Sequence, residues 1–252
     1  MAKKVKLTRK QIKKPDEFVA WTTQFVEYCV QNAVSIFWGL GIAVVVVLIS
    51  VGIFYYMHAK DQKAMELLAT AEEIYRTPII NDPKDPTSAL PHYQNPIEKY
   101  PKAIEEFTKV IETYPKSEAG IRAQLYIGNC YYEMARYDDA SKAYQKFIEK
   151  AKPNTTLYWM GVVGLGYSLE SEGKNTEAIA AFAKASGPES NGFRGEALFS
   201  LYRLKRRNND INGAKEALKT YLEAFPQSPA KNLVESLYKQ LAAVGPLEKK
   251  EG

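Results

Sequence analysis

The residues best suited to covalent or metal chemistry are few: two cysteines, Cys29 and Cys130, and two histidines, His58 and His92. A structural or catalytic metal site needs several such ligands converging at short spacing, and neither histidine has a Cys/His cluster of that kind nearby. Neither histidine sits in a nucleophile–base pattern, and no glycine-rich phosphate loop occurs. Cys130 falls in an apolar helical stretch, where cysteine serves as a small hydrophobe. The carboxylates are scattered over charge-dense helices, as solvated faces are. The expectation is therefore a protein that is not an enzyme and carries no cofactor or metal. What remains is non-covalent recognition, which concentrates its energy in aromatic and arginine side chains.

Such side chains need elements to hold them, and the first element is apolar. Residues 34–57, VSIFWGLGIAVVVVLISVGIFYYM, are 24 uncharged positions. As a helix rising about 1.5 Å per residue the run reaches roughly 36 Å, enough to cross a hydrocarbon layer of about 30 Å with some tilt. It is too long for a secretory h-region and exits through Tyr55, Tyr56, Met57 and His58 instead of a small-residue cleavage site. An uncleaved transmembrane helix is expected. Before it, residues 15–33 read as an amphipathic juxtamembrane helix, with Phe18, Trp21, Phe25 and Cys29 at helical spacing, lying along the inner leaflet before turning into the membrane.

Residues 1–14 carry seven Lys or Arg and no acid, and residues 1–33 balance at +4; residues 58–252 hold 27 bases against 26 acids, a balance of +1. A nucleic-acid-binding domain would carry its excess on the folded part, so no nucleic-acid partner is expected. The basic tail is read as a topogenic signal that also touches anionic lipid. Dense charge on a short amino-terminal loop places residues 1–14 in the cytoplasm and the long carboxy-terminal part on the other side, although Lys60 and Lys63 flank the far end of the span closely. Cys29 and Cys130 then lie on opposite sides and form no disulfide.

After the span the chain repeats. Ala103, Ala140, Ala178 and Ala214 recur at intervals of 37, 38 and 36 residues. Four positions after each come Phe107, Tyr144, Phe182 and Leu218, and seven after each come Val110, Phe147, Ala185 and Tyr221, which is one helical face. Gly128 and Gly166 lie twelve residues before their alanines, each preceded by an aliphatic residue. Short side chains at these places let two antiparallel helices approach. The first repeat is split: its helices are expected at 62–76 and 98–114, separated by an irregular excursion over 77–96 that carries Pro78, Pro83, Pro86, Pro91 and Pro96. Residues 230–242 read as a capping helix, closing a domain that runs from 58 to 242, and 243–252 as a flexible terminus. Ala151 reads as an exposed alanine.

The spacing resembles the tetratricopeptide repeat, whose motif sets Leu-Gly, Tyr, Ala, an aromatic, Ala and Pro at these offsets in about 34 residues. Tyr202 stands where the last repeat should have glycine, a departure that bears on how tightly that pair packs. The fold class implied is all-α: one amino-terminal transmembrane helix, then a solenoid of about four helix pairs with a cap. In such solenoids the first helix of each pair lines the concave side. This assigns to a partner-binding groove Arg122, Leu125, Asn129 and Tyr132 from one repeat, Met160, Val163, Tyr167 and Glu170 from the next, and Phe199, Arg203 and Arg206 from the last. An aromatic and aliphatic groove with a few charges suits extended or partly unfolded peptide; the same residues would also serve to pack repeat against repeat. Leu125 occupies the place where a carboxylate-clamp repeat carries a base, so recognition of that type is discounted.

The order of parts resembles the YfgM-like family of ancillary SecYEG translocon proteins: a polar or basic start, the lead-in KKPDEFVAWTTQFVEYCVQNA, one span, then divergent repeats. The stretch YPKAIEEFTKVIETYPKSEAG also resembles repeats of outer-membrane assembly lipoproteins and cell-division coordinators. The first resemblance implies a bacterial inner-membrane protein whose periplasmic repeats meet emerging chains, the SecYEG translocon and periplasmic chaperones. The alternative is a fixed structural or assembly subunit of another envelope complex.

Overall fold

The computed structural model describes residues 17–81 and 91–243. The basic tail 1–14, the centre of the proline-rich excursion with Pro83 and Pro86, and the terminus beyond residue 243 lie outside the described residues. The chain divides into two units, Met1–Ala59 and Lys60–Gly252.

In the first unit, α1 (Glu17–Gln31) leads to α2 (Ala33–Arg76), a helix of 44 residues whose later part belongs to the second unit. At the junction of α1 and α2, Asn32 N donates to Tyr28 O at 3.0 Å and Ile36 N to Asn32 O at 2.9 Å. Asn32 is thus a one-residue turn between the two helices, with both its backbone groups hydrogen-bonded. From Val34 to Met57 the large apolar side chains except half-buried Ile36 are exposed all round the helix, Phe37, Trp38 and Tyr56 among the most open. A helix that is apolar all round and uncovered needs an apolar surrounding, and this is the one described helix long and apolar enough to cross a membrane. The Ser50 hydroxyl donates to Val46 O at 2.8 Å, so it brings no unsatisfied donor into that surrounding.

The described residues of the second unit are helices joined by short turns, and their β-structure is a single bridge between Ile79 and Tyr93. Residues 60–76 of α2 pair with α3 (Pro96–Thr113), then α4 (Glu118–Glu133) with α5 (Tyr137–Lys150), α6 (Thr156–Ser171) with α7 (Asn175–Ala185), and α8 (Arg194–Arg207) with α9 (Ile211–Ala224). α10 (Lys231–Ala243) closes the array, and a 3-10 helix, Pro188–Phe193, links α7 to α8. Local chemistry sets the starts. Asn95 Oδ1 accepts from Glu98 N at 2.8 Å with Pro96 in the first turn of α3, so Pro96 begins a helix instead of ending the excursion. Ser117, Thr155 and Asp210 cap α4, α6 and α9 in the same way. The ends of the excursion are tied by Ile80 N to Tyr93 O at 2.8 Å and Tyr93 N to Pro78 O at 2.9 Å.

The turn inside each later pair is the same device. Ala135, Gly173 and Asn209 adopt φ of 57°, 79° and 59°, each five residues before the repeat alanine. Arg136 N donates to Tyr131 O, Lys174 N to Leu169 O and Asp210 N to Lys205 O, the six-to-one bond of a Schellman ending. Glycine enters the left-handed region freely and asparagine tolerates it, whereas alanine is strained there. Ala135→Gly is therefore expected to stabilise the protein by about 1 kcal/mol, read as a higher midpoint in guanidinium unfolding. A lower midpoint would show that the turn is held by something other than the backbone.

Packing follows the alanine register. Ala103, Ala140, Ala178 and Ala214 are all 0% exposed. A Cβ added at Gly128 would lie 2.8 Å from the Tyr144 ring, and one at Gly166 would lie 2.9 Å from Phe182. In the last pair the sizes are exchanged: Tyr202 replaces the glycine, Leu218 stands where the aromatic would be, and both are buried. Ala151 is buried as well, only 7% exposed, which corrects its reading as an exposed position: the chain turns over it from α5 into α6, against Tyr158 and Trp159 in the core. Around the first pair, Phe107 stacks on Tyr126 at 5.0 Å and Tyr126 meets Tyr75 at 5.3 Å, joining α3, α4 and the end of α2.

Candidate functional site

The first helices of successive pairs are bonded to one another across the repeats, and these bonds decide which of the candidate residues are available. Arg122 on α4 donates from Nη2 to Glu72 Oε1 on α2 at 3.0 Å. Tyr167 on α6 donates to Glu196 Oε1 on α8 at 2.8 Å and receives a longer bond, 3.4 Å, from the Ser200 hydroxyl. Glu170 on α6 is gripped by both nitrogens at the tip of Arg203, with Nη2 to Oε2 at 2.6 Å, and its Oε1 also lies 3.2 Å from Arg207 Nη1. Arg207 Nη2 donates to Asn175 Oδ1 at 2.6 Å.

Leu125 and Val163, assigned above to an open groove, are only 1% and 5% exposed. Their aliphatic side chains fill the interior, and this removes them from any contact surface. Asn129 is also engaged inward, accepting from the Tyr144 hydroxyl at 2.7 Å. Tyr132 is half-buried with its ring against Tyr137 at 5.4 Å. The open apolar area is left to Met160 on α6 and Phe199 on α8, each 38% exposed. Phe199 leans on Tyr202 at 5.5 Å, and Arg206 donates from Nη1 to the Tyr202 hydroxyl at 3.2 Å.

The electrostatics of this face are cationic. Tyr202, Arg203, Arg206 and Arg207 bound a depression of about 280 Å³; Glu170 beside it pairs with Arg203 and Arg207, while Arg206 turns to the Tyr202 hydroxyl. Part of that excess has a local cause, since bases in the last turn of α8 meet the negative end of the helix dipole. The hydrogen bonds from Arg203 to Glu170 hold the guanidinium pKa above its ordinary value. Burial is the main reason the Tyr167 hydroxyl titrates above its ordinary range, with Glu196 adding to it and Ser200 opposing it. Met160 and Phe199 thus leave apolar area open on the same helices as Arg206, while Tyr167, Glu170 and Arg203 are bonded within the protein.

Glu196, Ser200 and Arg207 are absent from the sequence-based set. With Arg203 they stand at intervals of four, three and four along α8, a polar stripe that could have marked the side facing α6. Glu72 had no such signal. Cys130 is fully buried and its thiol is pushed up to about 12, chiefly by burial, which makes it a poor nucleophile.

Residues 122–152, covering most of α4 and all of α5, match the family model of the tetratricopeptide repeat. No curated protein matches the chain. Together with the helix pairing, the match makes the second unit a tetratricopeptide-repeat solenoid, an architecture that serves protein–protein interaction.

Proposed function

We propose that this chain is a membrane-anchored interaction scaffold that binds protein or peptide partners on the α6–α8 face of its repeat unit. The observation that carries the reading is the pairing of open Met160 and Phe199 with a guanidinium, Arg206, whose partner is a neutral phenol. Aromatic and arginine groups dominate recognition energies where they are desolvated on binding. The anchor is residues 34–57; the seven bases of the tail support a cytoplasmic amino terminus and a periplasmic repeat unit in a bacterial inner membrane. Resemblance in the order of parts to the YfgM-like family supports a place beside the SecYEG translocon and periplasmic chaperones, with emerging chains as clients.

A second reading, a fixed structural or assembly subunit of an envelope complex, draws on a different observation. Tyr167, Glu170 and Arg203 are already satisfied within the protein, as suits a rigid surface for one lasting neighbour. Photo-crosslinkers at Met160 and Phe199 in living cells separate the two. The scaffold reading expects many secreted chains, captured more strongly when export is slowed. One invariant neighbour at stable stoichiometry would establish the structural subunit, and cytoplasmic proteins among the captured chains would reverse the orientation.

A further inference from the structure

A second cavity, of about 400 Å³, opens between the start of α4, the end of α5 and the start of α6. Ile121, Phe147 and Leu157 supply an apolar lining, and Arg122, Lys150 and Lys152 bring three cations to it. Glu118 is the one acid among its lining residues. Lys150 and Lys152 are exposed and form no ion pair with the described residues. Arg122 has committed Nη2 to Glu72, but its Nε is buried with no acceptor. A buried N–H without a partner is rare in folded proteins, and a missing acceptor is one explanation of it. The volume lies at the small end of the range of ligand pockets.

We propose that this cavity binds a carboxylate carrying a compact apolar group, the apolar part against Ile121, Phe147 and Leu157 and the carboxylate between Arg122 and the two lysines. The chemistry follows from the lining: an apolar body alone would leave the surplus charge unanswered, and a bare anion would leave the apolar wall uncovered. Such a group is offered both by the carboxy-terminal residue of a peptide and by a free fatty acid. The site is distinct from the α6–α8 face, so crosslinking at Met160 and Phe199 stands or falls independently of it.

The test uses the full chain in lipid nanodiscs, titrated calorimetrically with N-acetyl-leucine, octanoate and N-acetyl-leucinamide against empty-nanodisc blanks. Saturable binding of at least one carboxylate is expected, weakened about tenfold or more for the amide, which lacks the charge. Lys150→Gln with Lys152→Gln should weaken it by a similar factor, and both side chains are exposed enough for the fold to tolerate the change. Preference for N-acetyl-leucine points to a peptide terminus and preference for octanoate to a fatty acid; each supports the site. Absence of binding by both carboxylates, equal binding of the amide, or unchanged affinity in the double variant would overturn it, leaving a cavity that water alone fills.

Discussion

Phe182→Ala lowers the stability of the protein by about 3–5 kcal/mol, the usual cost of deleting a fully buried ring. Phe182 is 0% exposed and packs on α6, where Gly166 makes room for it and the Tyr167 ring meets it edge-on at 5.1 Å. The same contact predicts the reciprocal result. Gly166→Ala alone costs about 1–3 kcal/mol by overpacking, because the new methyl would sit 2.9 Å from the ring. In a Phe182→Leu background the penalty shrinks, since the exchanged sizes of Tyr202 and Leu218 show that a smaller partner on the second helix accompanies a larger residue on the first. Guanidinium unfolding of the four proteins of this cycle measures the coupling. Equal cost of Gly166→Ala in both backgrounds would mean that the glycine is present for some reason other than the approach of α7. Ala180→Leu, on the exposed side of α7, is the comparison expected to be near neutral.

The second large effect concerns the span. Val46→Arg together with Leu48→Arg is expected to abolish stable integration, at about 2.5–3.5 kcal/mol for each arginine near the middle of the helix. Both positions are exposed on α2, 56% and 64%, so the substitutions disturb no packing within the protein. Carbonate extraction reads the result: the parent chain stays with the membrane pellet and the double variant moves to the supernatant. Release of the parent chain would show that residues 34–57 do not anchor it. Retention of the variant would assign anchoring to α1 or to the basic tail.

Most of the architecture was legible in the sequence because it depends on periodic, local choices. The apolar run at 34–57 and the alanines at 103, 140, 178 and 214 each act within a few turns of helix. The order of helix pairs, the span and the closing helix therefore followed from spacing alone. Tertiary structure decided what those patterns leave open. Ala151 became buried through the way the chain turns from α5 to α6. The face of the first helices was decided in the same way. A three- or four-residue spacing identifies the side of a helix, but not the neighbour that arrives there, so Leu125 and Val163 went into the core while Met160 and Phe199 stayed open. Arg122 and Arg203 met Glu72 and Glu170 across 50 and 33 residues of chain. Such pairings are fixed by the rotation of one repeat upon the next, a small angle set by the summed packing of all the side chains between them.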